Sequence, residues 1–568
     1  MNIVPISLSI LLSVLCISVK CQTLPTIQFQ KCYGGLLQDR GTDIAATFDG
    51  GYIVCGYCRS STGNLTSNKG GYDIWVVKLN KDGNIEWQKS YGSIRNDQAY
   101  SIKQTADSGY IVAGSSSSFW GLSRVDDDIW VFKLSRNGTM EWESRLSGTG
   151  EEEANAVVLT ADGGYAVAGY SYSFDGDFAN KRGSCVVFRL NNNGSLKWMK
   201  TFGGNGDDVA ASIVETKEGD LLVAGKSSST NNDITDNHGK LDYLLLKLDS
   251  AGNKIWAKSF GGTEDDRATT VKQTRDGGYI LSGSSASFAS TSFIDFHYWL
   301  IKLDTAGQVQ WTTPTNASPT FYPYSIEQTT DNGYVVGGSS YSFFPGEHGN
   351  GDFWIAKFNE NGKFQWQKFM GGNAQDYGRV ALQTADEGYI ITGMVGSTTM
   401  DVSGNHGDFD LWVVKLGPVN DNASLCPPAS SLSMVSELTG SNYRWQVNDG
   451  NGYVDLSDNS FYTGTTSRTL YLNNIPSSWY NYRYRCFADS TCGKTFTLKY
   501  TSTWTGATDT TWETPSNWSC NAVPDEHTDV IINKGTPVLN SNTSCRSLSL
   551  TNGATLTVNP AKLLDVKN

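Results

Sequence analysis

DGGYIVCGY (49–57), DSGYIVAGS (107–115), DGGYAVAGY (162–170), EGDLLVAGK (218–226), DGGYILSGS (276–284), DNGYVVGGS (331–339) and DEGYIITGM (386–394) are seven copies of one pattern. Counted at the aromatic or Leu position (52, 110, 165, 221, 279, 334 and 389), the steps are 58, 55, 56, 58, 55 and 55 residues. A period that regular is one structural unit repeated. Within each unit the quoted run is the second of four short strands. A half-apolar stretch such as AYSIKQT (99–105) precedes it. DIWVVKL (73–79) follows, echoed as DIWVFKL, SCVVFRL, DYLLLKL, HYWLIKL, DFWIAKF and DLWVVKL (410–416). After an Asp-Gly or Asn-Gly turn comes the fourth, IEWQKSYG (85–92), echoed by LKWMKTFGG, KIWAKSFGG and FQWQKFMGG. Four short strands per unit predict the blade of a β-propeller.

The ends of the array predict how it closes. No fourth strand follows Leu416, whereas IQFQKCYGG (27–35) is a lone fourth strand ahead of the first full unit. The N-terminal strand is therefore expected to complete the last blade, which removes the exposed sheet edges that an open row would leave. The fold expectation is all-β: a seven-bladed propeller over 22–420, then an immunoglobulin-like β-sandwich over 421–502 and a short β-rich, solenoid-like segment over 503–568.

The composition agrees. Sixty Gly, 17 Trp, 27 Tyr and 23 Phe suit short strands and tight turns. The 57 acidic residues outnumber 44 basic ones, and the net charge of −13 disfavours nucleic acid and anionic membranes as partners. Residues 1–21 hold an apolar run, Ile6 to Val19, with the pattern of a signal peptide. Secretion or display at the cell surface follows, without membrane insertion. Nine Cys lie beyond residue 21, an odd number that leaves at least one thiol unpaired within the chain. Five of them, Cys426, Cys486, Cys492, Cys520 and Cys545, are the disulfide candidates. Trp445, Tyr484 and Cys486 outline an immunoglobulin-like core, with Cys426 and Cys492 competing as the partner of Cys486.

A catalytic residue is needed once, whereas a structural one recurs in every unit. Ten residues beyond the fourth-strand aromatic stands a carboxylate in six of seven units: Asp39, Asp97, Glu152, Asp208, Asp266 and Asp376, with Phe321 as the exception. These are expected to accept backbone N–H bonds at the turn into the first strand. Trp87, Trp142, Trp198, Trp256, Trp311 and Trp366 are expected to pack between blades, and the third-strand Lys or Arg to pair at an edge. Long loops link the second and third strands and emerge on one face. Two are rich in oxygen ligands, which makes Asp233, Asp236, Asp401 and Asp408 the candidates for calcium; no other cofactor is expected. The five His are scattered, and no nucleophile elbow or phosphate loop is present.

The array of DGGYIVAG and WVVKL…GNIEW units resembles those of large secreted bacterial repeat proteins with immunoglobulin-like modules, many of them cargo of type IX secretion. That resemblance implies location and architecture rather than an activity; a C-terminal sorting domain has no counterpart in this sequence. The fourth-strand Trp-and-Gly pattern is also similar to that of quinoprotein propellers, which have eight blades and a vicinal Cys pair. The expected role is non-catalytic: a binding or scaffold protein that takes an extracellular glycan or protein on the long-loop face. The alternative is a propeller enzyme, either a glycan-active hydrolase or a quinoprotein. A deep pocket with converging carboxylates or Arg would favour the enzyme, and a shallow one lined by Tyr and Asn would favour binding.

Overall fold

The computed structural model describes residues 24–567 apart from 66, 118–125, 180–183, 289–295, 314–319, 330–331, 342–347, 350, 386–387, 418–419, 426–430, 437–439, 450–452, 489–490 and 551–553. The expected signal segment lies outside the described residues. Two compact units divide the chain, one spanning Pro25–Pro418 and the other taking in Val419–Asn568. Among the described residues no helix is long and apolar enough to cross a membrane.

Pro25–Pro418 contains seven four-stranded antiparallel sheets. The first is built from Asp39–Ala46, Tyr52–Cys58, Asp73–Leu79 and Ile85–Tyr91. Five more begin at Asp97, Glu152, Asp208, Asp266 and Phe321. The seventh has Asp376–Gln383, Tyr389–Val395 and Asp410–Leu416, and its fourth strand comes from the N-terminus. Ile27–Tyr33 pairs antiparallel with Asp410–Leu416, with Tyr33 opposite Leu411. The first strand of each sheet packs on the first strand of the next, and that of the seventh on that of the first. Four-stranded sheets repeated around a central channel make a β-propeller.

Because every sheet has a neighbour on both faces, the second and third strands lose their alternation. Tyr52–Cys58 and Asp73–Leu79 are buried at every residue, which is why both read as near-continuous apolar runs. The fourth-strand aromatic bridges to the next sheet. Trp87 stacks edge-on against Tyr110 at 5.8 Å, and Trp366 against Tyr389 at 5.3 Å. The same ring covers the next sheet's last hairpin turn: a Cβ on Gly138 would lie 2.7 Å from Trp87. The third-strand cation ties the first hairpin turn to the start of the fourth strand at this same end. The Lys78 ammonium meets Asp49 at 3.0 Å and Glu86 at 2.9 Å, and Arg189 meets Asp162 at 2.6 Å.

One irregularity recurs in all seven sheets. The first strand carries a bulge at its fourth residue, so that Thr42, Tyr100, Asn155, Ala211, Thr269, Tyr324 and Arg379 each have no partner on the second strand. The cause is written in the repeat. The Gly that ends each GYIVAG-like run takes a carbonyl oxygen at its Cα: a Cβ on Gly169 would lie 1.8 Å from the Glu153 oxygen, and one on Gly225 1.9 Å from that of Val209. Only a residue without a side chain admits that approach, and a Gly inside a strand marks such a bulge.

Val419–Asn568 forms its own core. A seven-stranded sheet runs from Tyr453–Asp455 to Ser547–Leu550, and a three-stranded sheet joins Leu432–Val435, Thr469–Leu472 and Tyr462–Thr463. Trp445 and Tyr484 are fully buried in a shared cluster. Thr491–Thr503 continues through the expected 502/503 boundary, pairing with Arg483–Ala488 and then, in parallel, with Asp529–Ile532. Beyond it short strands stack in parallel, such as Thr543–Cys545 on Leu564–Val566. The disulfide expectation needs correction at two positions. Cys486 and Cys545 remain thiols. Cys486 sits opposite Trp445 and donates to the Phe487 carbonyl oxygen at 3.4 Å, and Cys545 is packed among Trp504, Trp512 and Trp518. Cys520 is disulfide-bonded, while Cys426 and the side chain of Cys492 lie outside the described residues.

Trp366→Ala is expected to cost about 3–5 kcal/mol through the cavity it leaves between sheets. Gly169→Ala is expected to cost about 1–3 kcal/mol by overpacking the bulge. Denaturant titration of the full chain checks both; unchanged midpoints would contradict the packing described.

Candidate functional site

Antiparallel order puts the start of each first strand and the end of each second strand on the long-loop face. The six recurring carboxylates are found there, at the head of the first strands, and all are fully or almost fully buried. Each accepts the backbone N–H four residues before it: Asp39 from Gly35 at 2.8 Å, Asp97 from Ser93 at 2.8 Å, Glu152 from Gly148 at 2.9 Å, Asp208 from Gly204 at 3.0 Å, Asp266 from Gly262 at 2.8 Å and Asp376 from Gly372 at 2.8 Å. Serines at the end of the second strand add hydroxyl donors, as Ser227 and Ser229 do to Asp208. In the sixth sheet Phe321 fills the place and stacks on Trp354 at 4.6 Å.

A second set of buried carboxylates heads the third strands and was not singled out from the sequence. Asp73, Asp242 and Asp410 are inaccessible to solvent. They close the long loops: Asp73 accepts from the Lys69 N–H at 2.7 Å, Asp242 from His238 at 2.7 Å and Asp410 from His406 at 3.0 Å. The signal was present as NKGGYD (68–73), NHGKLD (237–242) and NHGDFD (405–410), an Asn-x-Gly-x-x-Asp turn repeated at the same place. The Asn of each turn donates to the strand it leaves, as Asn237 does to the Ser227 carbonyl oxygen at 2.8 Å.

This accounts for the oxygen-rich loops in which calcium was expected. Asp233 pairs with Lys254 at 2.7 Å, Asp236 accepts from the Ser259 N–H at 3.1 Å, Asp408 accepts from Gln38 at 3.0 Å, and Asp401 lies 3.9 Å from the His348 ring. The four are spread over two loops, each held by donors of the chain itself. Among the described residues no group of three or more His, Cys, Asp and Glu is placed to hold a metal ion.

What the first strands do not share is what they show to the centre. All seven bulged residues line one lumen of about 670 Å³. Three short ones are spent on the ring itself: Thr42 donates to the Ala99 carbonyl oxygen at 2.7 Å, Asn155 to that of Ala210 at 2.9 Å and Thr269 to that of Pro323 at 2.9 Å. These staples join sheets that share no backbone ladder. Tyr100, Tyr324 and Arg379 are long instead, and Ala211 is short. Arg379 stacks its guanidinium 4.2 Å over the Tyr324 ring. Tyr100 donates to Glu153 at 3.2 Å, where burial pushes the carboxyl up and the Tyr100 hydroxyl partly offsets it. Deeper, Asp43 accepts from the Ile102 N–H and from Lys103 at 2.6 Å, and Glu327 accepts from the Gln383 N–H at 3.1 Å. Each of these lumen carboxylates therefore has its own donor. Tyr57 and Lys226, at the ends of second strands, also line the lumen.

Burial raises the ring carboxylates, taking Asp97 to about 6 and Glu152 to about 7 against the hydrogen bonds that lower them. Raised values mean that the folded state holds these protons more tightly than the unfolded chain. Their stabilisation is complete below about pH 4 and is lost as pH rises through about 6 to 7, on the order of a few kcal/mol in all. Thermal unfolding of the full chain between pH 4 and 8 checks this. Glu152→Gln is expected to flatten the profile, and an unchanged profile would contradict the assignment.

Similarity to known proteins is confined to fold-level likeness and one segment. No curated protein matches the chain. Among solved structures, a fungal alcohol oxidase of the AA5 family in complex with copper aligns at 13% identity over 84% of this chain and 99% of that one, with a TM-score of 0.41. Sqt1 from Chaetomium thermophilum aligns at 12% identity over 69% and 100%, TM-score 0.40. BamB from Moraxella catarrhalis aligns at 14% identity over 69% and 100%, TM-score 0.33. Likeness of this size transfers no function, and the architecture stands on its own strand pairing. Residues 503–568 match the model of Domain of unknown function (DUF8693).

Proposed function

We propose that the chain works outside the cell as a non-catalytic binding protein, a seven-bladed propeller that takes a glycan at the mouth of its lumen on the long-loop face. In this reading Val419–Asn568 is an immunoglobulin-like module with a solenoid-like extension that presents the propeller. One observation carries the proposal. The bulge that aims a side chain into the lumen is the same in all seven sheets, yet the residue it aims is Thr, Tyr, Asn, Ala, Thr, Tyr or Arg. A position kept for packing would repeat its residue as the neighbouring Gly does, whereas a contact surface for an asymmetric ligand needs differences. Bulges beside functional sites re-aim side chains in this way.

The chemistry on offer is that of recognition. Tyr100, Tyr324 and Tyr57 present flat rings with hydroxyl edges, which suit the apolar face of a pyranose. The lumen carboxylates are held by donors from different sheets, an arrangement unlike the facing acid pair of a glycoside hydrolase. Binding of the full chain to an immobilised polysaccharide panel tests the reading. Saturable binding is expected, and Tyr324→Ala is expected to weaken it by at least about tenfold, as loss of one stacked ring does. Absence of binding across the panel, or full binding by that variant, would refute a glycan at this mouth.

A further inference from the structure

We infer that the glycan bound at the lumen mouth is acidic, its carboxylate or sulfate held in a recess over Ala211 between Lys226 and Arg267. This rests on the binding reading above and specifies the ligand class of the same site.

The recess follows from the sequence of bulged residues. Six of the seven are larger than Ala, so the fourth sheet alone leaves its place at the lumen wall open. Cations border that opening. Lys226 ends the second strand of the fourth sheet, opposite Val209, and Arg267 is the second residue of the neighbouring first strand. Among the described residues no acidic group lies within ion-pair distance of Lys226. Burial and the Arg267 guanidinium beside it both push the Lys226 ammonium down. Asp265 takes one guanidinium nitrogen of Arg267 at 2.9 Å, but the Arg267 Nε is buried and has no acceptor. Asp207 and Asp265 act on Lys226 from beyond ion-pair distance and only partly offset this. Two cations held side by side, one in no ion pair among the described residues and one with an unfilled donor, form the arrangement an incoming anion completes.

Two further groups align with this. Arg379 makes no ion pair among the described residues and keeps its guanidinium on Tyr324, which places a third cation beside a stacking ring. Lys272, five residues beyond Arg267 on the same strand, lines the lumen with Glu327 nearby and likewise forms no ion pair. On the third-sheet side of the recess Glu153 stands with Tyr100 and repels an acid, so a ligand is oriented with its charge toward the fifth sheet. The net charge of −13 does not oppose this, because at physiological salt charges beyond about 8 Å are largely screened and the local cations set the field.

The test uses matched pairs that differ only in charge: polygalacturonate against its methyl ester, and dextran sulfate against dextran, with polyglutamate as a non-glycan polyanion. The first pair reports on a carboxylate and the second on a sulfate. The full chain is expected to bind at least one acidic member at least tenfold more tightly than its neutral match, with affinity falling as salt rises. Lys226→Gln is expected to remove that preference while leaving the unfolding midpoint unchanged, and Ala211→Leu is expected to do the same by filling the recess. Equal binding of charged and neutral members, lost in Tyr324→Ala but kept in Lys226→Gln, would overturn the acidic ligand and leave the glycan reading standing. Binding of polyglutamate as tight as that of the acidic glycans would overturn the glycan class. Silence across all five probes would overturn the acidic ligand, while binding elsewhere in the wider panel would spare the glycan reading.

Discussion

A carbonyl oxygen pressed against a glycine Cα is the contact on which this structure turns. Seven times the residue two before the bulged one drives its oxygen toward the Gly within the second strand, to within 1.8–2.1 Å of where a Cβ would sit. The approach forces one extra residue into the first strand, and that residue has nowhere to go but the lumen. A bulge also bends its strand and strengthens the local twist, as sheets wrapped around a common axis require. The packing motif and the lumen-facing surface thus have one origin.

Sheets arranged in this way share no backbone ladder, so other contacts must join them. Three act together. The fourth-strand aromatic covers the next sheet's hairpin turn, bulged Thr and Asn side chains donate to the next first strand, and Ser212 and Ser325 accept the N–H groups of Val271 and Ala381 there. Asp43 does the same for Ile102, at the price of a buried carboxylate that Lys103 neutralises. Where a short bulged residue is used as a staple it is unavailable to a ligand. The sheets that forgo the staple, the second, fourth, sixth and seventh, are those that supply Tyr100, the Ala211 recess, Tyr324 and Arg379.

Much of the architecture was legible because it repeats. The closing strand at Ile27–Tyr33, the wedge of Trp87 between sheets and the N–H acceptor role of Asp39 each follow from a residue recurring at a fixed offset. The third-strand Asp73 recurs as plainly but was read as part of an apolar run, because a carboxylate heading DIWVVKL looks like the end of a loop. The acidic loops invited calcium for a related reason. Oxygen-rich sequence is common to metal loops and to Asn-x-Gly-x-x-Asp turns, and only hydrogen-bond geometry separates them. Cys486 lies directly opposite Trp445 in the pairing of the two strands.

The sequence by itself determined the unit, its number of copies and the way the ring closes, because period and alternation are properties of the chain read in order. It also contained the glycine that creates each bulge. Only the tertiary structure decided what the bulges point at, since the lumen is assembled from seven strands about 55 residues apart. Whether Thr42 is a staple and Tyr324 carries the Arg379 guanidinium depends on what lies across from each, and Lys226 meets Arg267 only because the next sheet brings it there. Contacts between units are set by the closure of the ring, and no single unit encodes them.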